Sequence, residues 1–402
     1  MEAYIIDGIR TPIGSYQGAL SEVRADDLGA LVIKAVAERN PEIPLSAYDD
    51  VILGCANQAG DDNRNVARMS LLLAGLPETV PGETVNRLCS SGLSAIIHAN
   101  RAIKAGDGDV FIAGGVENMT RGPLVISKSS KGYGTDSKMY DSSFGWRFVN
   151  PKMKEMHGVD AMGETAENLV EKYNISREDQ DRFALNSQLK AKKAQESGRL
   201  AEEIVNVEIP QRKGDAKVVA QDEFLKPTST IEGLGKLRAA FKKEGSVAAG
   251  DSSGLNDGAA AVIVASAEEE KKYNLKPLAR IVSSAVVGVS PRIMGIGPVE
   301  ASNKALAKAG LKMEDMDIIE LNEAFAAQSI ACIREWGLQD DDARINPNGG
   351  AIAIGHPLGV TGARIAYSAA LELNKTQKRY ALVTMCIGVG QGYAAILERF
   401  QA

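Results

Sequence analysis

Cysteine and histidine are scarce in this sequence, with four Cys and three His among 402 residues. The cysteines, Cys55, Cys89, Cys332 and Cys386, show no CxxC spacing, and His98, His157 and His356 lie far apart. This excludes a disulfide framework and points to a reducing compartment. It also argues against a zinc site, so no metal is expected. No apolar run is long enough to cross a bilayer. The first residues enter strand-like Tyr4-Ile5-Ile6 without an apolar leader, and the last ones do not form the peroxisomal tripeptide. A cytoplasmic protein without a membrane partner is expected. A basic excess is missing too: the net charge is −6, which argues against nucleic acid as a partner.

Glycine is abundant instead, at 40 residues. Many are clustered, as tight turns or close backbone approach to a ligand require. Apolar residues make up 44% of the chain and charged residues 24%, values of a globular protein. The length suits two or three domains, or two fused similar halves. Lys and Arg are dense in the middle third, from Lys190 to Lys243, and read mainly as a solvated helix face.

Leu28, Leu31, Val32, Ala35 and Val36 recur at helical spacing, and Val51-Ile52-Leu53 then forms a short apolar strand. Leu93 to Ala99 is nearly uncharged, which predicts a helix buried all round. Val110 to Ala113 reads as a buried strand ending in Gly114-Gly115. Strands alternating with helices predict an α/β fold with a largely parallel sheet. Residues 121–248 break the pattern, being rich in Lys, Glu and Ser. They read as an inserted, mostly helical subdomain containing a helix from Arg177 to Ser197. The domain division expected is 1–120, the insertion 121–248, a return to the first half at 249–272, and a second half at 273–402. The last third repeats the first. Asp50-Val51-Ile52 matches Asp317-Ile318-Ile319, which lies 267 positions further on. The same offset carries Cys89 onto His356 and Gly92 onto Gly359.

Four segments carry chemistry. In Asn86-Arg87-Leu88-Cys89-Ser90-Ser91-Gly92 a thiol sits where a strand turns into the buried helix. The positive end of a helix lowers a thiol pKa. Such help matters, because an ordinary Cys is only about 3% thiolate at pH 7. A lone Cys is more often structural, but the small neighbours leave room for a ligand. In Gly349-Gly350-Ala351-Ile352-Ala353-Ile354-Gly355-His356-Pro357-Leu358-Gly359, His356 takes the place equivalent to Cys89, and a Cys–His pair makes an activated nucleophile. His98 and His157 read as structural. Cys386 ends a buried strand ahead of Gly388, whose N–H could serve an oxyanion hole. Asn322, after the strand Ile318 to Leu321, is placed to orient a water or carbonyl, or to cap the next helix.

Together these segments, with Asn322-Glu323-Ala324-Phe325-Ala326 and Ser252-Ser253-Gly254-Leu255-Asn256-Asp257-Gly258, resemble the thiolase family in order and spacing along essentially the whole chain. The resemblance implies a five-layer α-β-α-β-α fold, a dimer or tetramer, and coenzyme A as co-substrate with no permanently bound cofactor. It implies Cys89 as the acylated nucleophile, His356 as its activator and Cys386 as the second acid/base group. One oxyanion hole would come from Asn322, through a water, and His356; the other from the Cys89 and Gly388 N–H groups. Ser253, Met162, Phe241, Ala249, Ala324 and Phe325 match positions lining the pantetheine. Lys226 stands where some members place an Arg against the adenine, and Asp251 replaces a common Asn. Residues 50–69 and the loop Gly145-Trp146-Arg147-Phe148 look most like 3-oxoadipyl-CoA thiolases of aromatic degradation. Their substrate carries a distal carboxylate, for which Arg147 is the candidate partner; an inter-subunit role for Arg147 is the alternative. The competing readings are a fatty-acid 3-ketoacyl-CoA or acetoacetyl-CoA thiolase, a silent CoA- or lipid-binding protein, and a cysteine hydrolase.

Overall fold

The computed structural model describes residues 1–401. One α/β unit occurs twice. In the first half the spatial strand order is Gly82–Val85, Asp50–Gly54, Val110–Asn118, Asn256–Ser266, Ala3–Arg10. In the second, Ile345 bridges to Ile319, followed by Ile318–Leu321, Tyr380–Ile387, Gln391–Arg399 and Ala279–Gly288. Each half starts with two parallel contacts and ends with two antiparallel ones. The sheet is therefore mixed, and the largely parallel sheet expected from strand–helix alternation is corrected. The local cause in the second half is the turn Gly388-Val389-Gly390, which sends Tyr380–Ile387 straight back as Gln391–Arg399. A three-residue turn joins only antiparallel neighbours. The halves meet where Tyr4 pairs with Arg280 and Ile5 with Ala279, making one 10-stranded sheet among the described residues.

Strand side chains alternate with period two, and that alternation creates the layers. Ala3 and Ile5 face a central core, while Tyr4 and Ile6 face an outer one. On the second half Ala381, Val383 and Met385 face the same central core, and Leu382 and Cys386 face the opposite outer one. The central core is filled by two helices, Ser91–Ala105 and Leu358–Thr376. Ala25–Arg39 and Val66–Leu73 cover one outer face. Gly297–Ala309 and Ala326–Glu335 cover the other. The result is the stack α-β-α-β-α. Each buried Leu or Ile in the centre, such as Leu93, Ile96 and Ile365, contributes about 1.5–3 kcal/mol.

The central helices touch through glycine. A Cβ on Gly92 would lie 2.6 Å from the Gly359 carbonyl oxygen, and one on Gly362 would lie 2.4 Å from the Leu93 nitrogen. This contact brings the first turns of the Cys89 and His356 segments side by side.

Residues 121–248 are less helical than their composition suggests. Met162–Tyr173 and Arg177–Glu196 are full helices, whereas Pro151–His157 and Ile231–Gly235 are short. Two small hairpins accompany them, Leu124–Ile126 with Met139–Asp141 and Val207–Ile209 with Lys217–Val219. The long helix starts at Ser176, whose side chain accepts the Asp179 N–H. Its buried Ser187 and Gln188 reach the short helix Ala351–Ile354, so the insertion packs directly behind the His356 loop. Buried Arg10 anchors the segment's far end, bonding Glu203 at 3.0 Å and Asp222 at 2.7 Å.

Candidate active site

Cys89 sits on a strained elbow. The strand Gly82–Val85 leads into a single 3₁₀ turn, Leu88–Ser90, ahead of the helix Ser91–Ala105. Leu88 has φ +48°, unusual for a bulky side chain. Local polar groups hold it there: Asn86 Oδ1 accepts the Leu88 N–H at 2.9 Å, and Ser91 Oγ donates to the Leu88 carbonyl at 2.7 Å. Burial pushes the Cys89 thiol up from its ordinary value, although the N–H groups of Gly388 and of Cys89 itself pull it down. The lowering expected from the helix end is thus outweighed by desolvation. The raised value keeps the resting thiol protonated.

His356 lies in the neighbouring segment. It is buried just before the helix Leu358–Thr376, mirroring the place of Cys89 before its own helix. Gly355 precedes it at φ +110°, where a Cβ would strike the Asn256 side chain. Asn256 Oδ1 in turn accepts the His356 N–H at 2.8 Å. Nδ1 lies 2.7 Å from Thr361 Oγ1, and Nε2 lies 3.4 Å from Asn322 Nδ2. Burial, then the charge of Arg364, pushes the imidazole pKa down to about 3, so the ring is neutral at physiological pH. No direct His356–Cys89 hydrogen bond forms among the described residues.

Asn322 is not the cap of the next helix, which begins at Ala326 with Phe325 at the N-cap; that alternative is corrected. Its Nδ2 faces His356, and its Oδ1 is buried without a partner. Its neighbour Glu323 accepts from Ser187 at 2.6 Å and Asn346 at 2.7 Å and fixes the glycine-rich loop through the Ile352 N–H. Cys386 is fully buried, and its thiol is raised well above its ordinary value by burial, then by the nearby Cys89 and Cys332 sulfurs. Gly388 follows in the turn, with Val389 at φ +64° and Gly390 at φ +86°. The turn aims the Gly388 N–H at the Cys89 sulfur. Cys89, Cys386 and Gly388 therefore converge, and Asn322 and His356 form a second polar pair beside them.

The insertion supplies an apolar rim. The Met162 sulfur lies beside Gly388. Phe241 packs edge-on against Phe325 with centroids 5.8 Å apart. Met162, Phe241 and Ala249 are exposed, while Ala324 and Phe325 are buried. Ser253 Oγ donates to the Ala324 carbonyl at 3.1 Å, bridging the two segments. Lys226 extends over the Phe224 ring. Asp251 turns inward to Arg177 at 3.4 Å, and burial, then Asp181, raises its carboxyl to about 7. Arg147 is half-buried and donates to the Ser142 carbonyl at 2.8 Å, while Ser142 Oγ accepts from Asn57 at 3.1 Å. His98 sits half-buried on the Cys89 helix, and His157 ends an exposed helix.

Comparison with known proteins agrees with this geometry. Residues 3–268 match the model of the thiolase N-terminal domain, and residues 275–399 match that of the thiolase C-terminal domain. The chain belongs to the thiolase family. It is 58% identical to a beta-ketoadipyl-CoA thiolase of Acinetobacter baylyi over 397 residues, covering 99% of both chains. It is also 58% identical to a 3-oxoadipyl-CoA/3-oxo-5,6-dehydrosuberyl-CoA thiolase of Escherichia coli over 398 residues, again covering 99% of each. A crystal structure of the Bacillus anthracis acetyl-CoA acetyltransferase superposes with a TM-score of 0.92 at 40% identity, covering 99% of either chain. The five-layer stack is the thiolase fold, and the protein is an acyltransferase.

Thr361 and Glu117 escape the sequence reading, and Asn256 enters it only within the segment Ser252 to Gly258, without a role. All three touch the His356 segment, and neither Thr361 nor Glu117 belongs to a recognisable chemical pattern. Only the position of Thr361, five residues after His356 and hence near one turn into the same helix, offered a signal.

Proposed function

We propose that this thiolase cleaves 3-oxoadipyl-CoA with CoA, giving succinyl-CoA and acetyl-CoA through an acyl-Cys89 intermediate. The observation that carries the chemistry is the convergence of Cys89, Cys386 and the Gly388 N–H beside the Asn322–His356 pair. Support for the substrate comes from the 58% identity to two thiolases named for it.

In this reading His356 Nε2 takes the Cys89 proton, and the thiolate attacks C3. The C3 oxygen is held by the N–H groups of Cys89 and Gly388. Collapse breaks the C2–C3 bond, and the enolate oxygen is held by protonated His356 and a water on Asn322. Cys386 protonates C2, and acetyl-CoA leaves. The proton on His356 then passes to the Cys386 thiolate. His356 next takes the thiol proton of incoming CoA, whose sulfur attacks the acyl carbonyl. The departing Cys89 thiolate recovers that proton. Each oxyanion donor stabilises the transition state by about 2.7–4 kcal/mol.

Residues 121–248 carry most of the CoA site, set between the first half (1–120, returning at 249–272) and the second (273–402). Ser253, Ala324 and Phe325 flank the pantetheine with Met162, Phe241 and Ala249, and Lys226 reaches toward the adenine end. Arg147 contributes to binding the distal carboxylate. The protein works in the cytoplasm as a homo-oligomer, dimer or tetramer.

The test is CoA-dependent thiolysis of 3-oxoadipyl-CoA, 3-oxohexanoyl-CoA and acetoacetyl-CoA. The expected result is the highest kcat/KM for 3-oxoadipyl-CoA. A preference for an uncharged chain would move the enzyme to fatty-acid substrates, and no turnover of any would overturn the role of Cys89.

A further inference from the structure

Thr361 lies in the first turns of the helix Leu358–Thr376 and is wholly buried. Its Oγ1 is 3.0 Å from the Pro357 carbonyl and 2.7 Å from His356 Nδ1. A carbonyl can only accept, and the Pro357 carbonyl, which also takes the Val360 and Thr361 N–H groups, offers the single hydroxyl hydrogen of Thr361 an acceptor. With its hydrogen there, the oxygen presents a lone pair toward the histidine, and Nδ1 brings the hydrogen to that contact. The other side of the ring agrees. Asn322 Nδ2, a donor, stands 3.4 Å from Nε2, which requires a lone pair there. Asn256 Oδ1 accepts the His356 backbone N–H at 2.8 Å and so fixes the main chain from which the ring projects.

We infer that Thr361 is the positioning residue that fixes His356 in its Nδ1–H tautomer and so leaves Nε2 as the basic nitrogen. The inference rests on the thiolase reading of His356 given above. Which nitrogen of a histidine is basic follows from the hydrogen bond the other one makes. Here that bond is made within the second half alone, five residues along the same segment. With the proton fixed at Nδ1, every resting molecule is ready to accept one at Nε2. Without Thr361, a fraction of molecules would carry the hydrogen on Nε2 and would be unable to act as base.

The chain has only three histidines, so uniform ¹⁵N-histidine labelling gives a spectrum simple enough to assign, with His356→Asn identifying the His356 signals. The resting wild-type enzyme is expected to show Nδ1 protonated and Nε2 bare. Thr361→Val, of nearly equal volume, should mix the tautomers and lower kcat in proportion to the Nδ1-protonated fraction that the spectrum reads, about twofold for an even mixture and about tenfold if a tenth remains, with little change in KM. Thr361→Ser keeps the hydroxyl and should recover both the spectrum and the rate. A wild-type spectrum with Nε2 protonated would overturn the inference even if the variants failed to fold. So would a folded Thr361→Val enzyme that keeps both tautomer and kcat. The spectrum needs no turnover, so a wild-type enzyme that cleaved no 3-oxoacyl-CoA would count against the catalytic reading, not against the tautomer.

Discussion

Glu117 accepts the N–H of Gly359 at 2.8 Å across 242 positions of sequence. The same carboxylate accepts the N–H groups of Ala56 at 2.9 Å and Asn57 at 3.0 Å. One side chain thus ties the loop after Asp50–Gly54, in the first half, to the helix that follows His356, in the second. Glu117→Gln replaces one acceptor oxygen with an amide that cannot accept. At least one buried N–H loses its partner, which costs about 1–3 kcal/mol. The variant is expected to melt lower and to acylate more slowly. Thermal unfolding and single-turnover acylation measure the two effects, and an unchanged value of both would show that the tie carries no load.

Gly92→Ala tests the helix contact. The added Cβ would meet the Gly359 oxygen at 2.6 Å and the Ala363 nitrogen at 2.8 Å, both backbone atoms that cannot turn aside. Overpacking of this kind costs about 1–3 kcal/mol. Activity should fall as well, because the Cys89 and His356 segments would be levered apart. Denaturant midpoint and kcat should drop together; a loss of stability alone would mean that the gap between the segments is tolerated.

His356 links stability to pH. In the fold its pKa is pushed down to about 3, whereas an ordinary histidine titrates near 6.5. Between those values the unfolded chain binds a proton that the folded chain refuses. Stability is therefore fully present above 6.5 and is lost as pH falls toward 3. His356→Asn removes this contribution. The difference in urea midpoint between wild type and variant should be constant above pH 6.5 and should shift against the wild type as the pH drops. Parallel curves across that window would contradict the buried neutral ring.

Arg147→Met addresses specificity. The guanidinium is half-buried, donates to the Ser142 carbonyl and sits two contacts from the loop that Glu117 holds. Its removal is expected to lower kcat/KM for 3-oxoadipyl-CoA at least tenfold, a loss of about 1.4 kcal/mol, and to spare 3-oxohexanoyl-CoA. An unchanged ratio would assign Arg147 to another task, such as a contact between subunits.

The duplicated architecture was legible because Cys89 and His356 are chemically distinctive and share one offset with matched strands. The direction of the strands was not legible. Val110–Asn118 and Asn256–Ser266 are buried at every position, and a short apolar run reports burial without encoding parallel or antiparallel pairing. The state of the Cys89 thiol was misjudged because a helix end is visible in sequence and depth of burial is not. Asn322 was readable as a polar group at a strand end, yet its choice of His356 over a capping role depends on where the next helix starts. Thr361 and Glu117 stayed hidden for a common reason. Each acts through one hydrogen bond to a segment already recognised, and a single Thr or Glu carries no pattern of its own.

The repeat offset also has a consequence for synthesis. His356 follows Cys89 by 267 positions, so a chain growing from its N-terminus makes the proposed nucleophile long before its proposed base. At roughly 5–20 residues per second the interval is on the order of tens of seconds. Throughout it the thiol has neither His356 to take its proton nor the Gly388 N–H to favour its charge. On the proposed reading the nascent half carries its thiol without the groups that would activate it, and acyl transfer waits for the completion of the second copy.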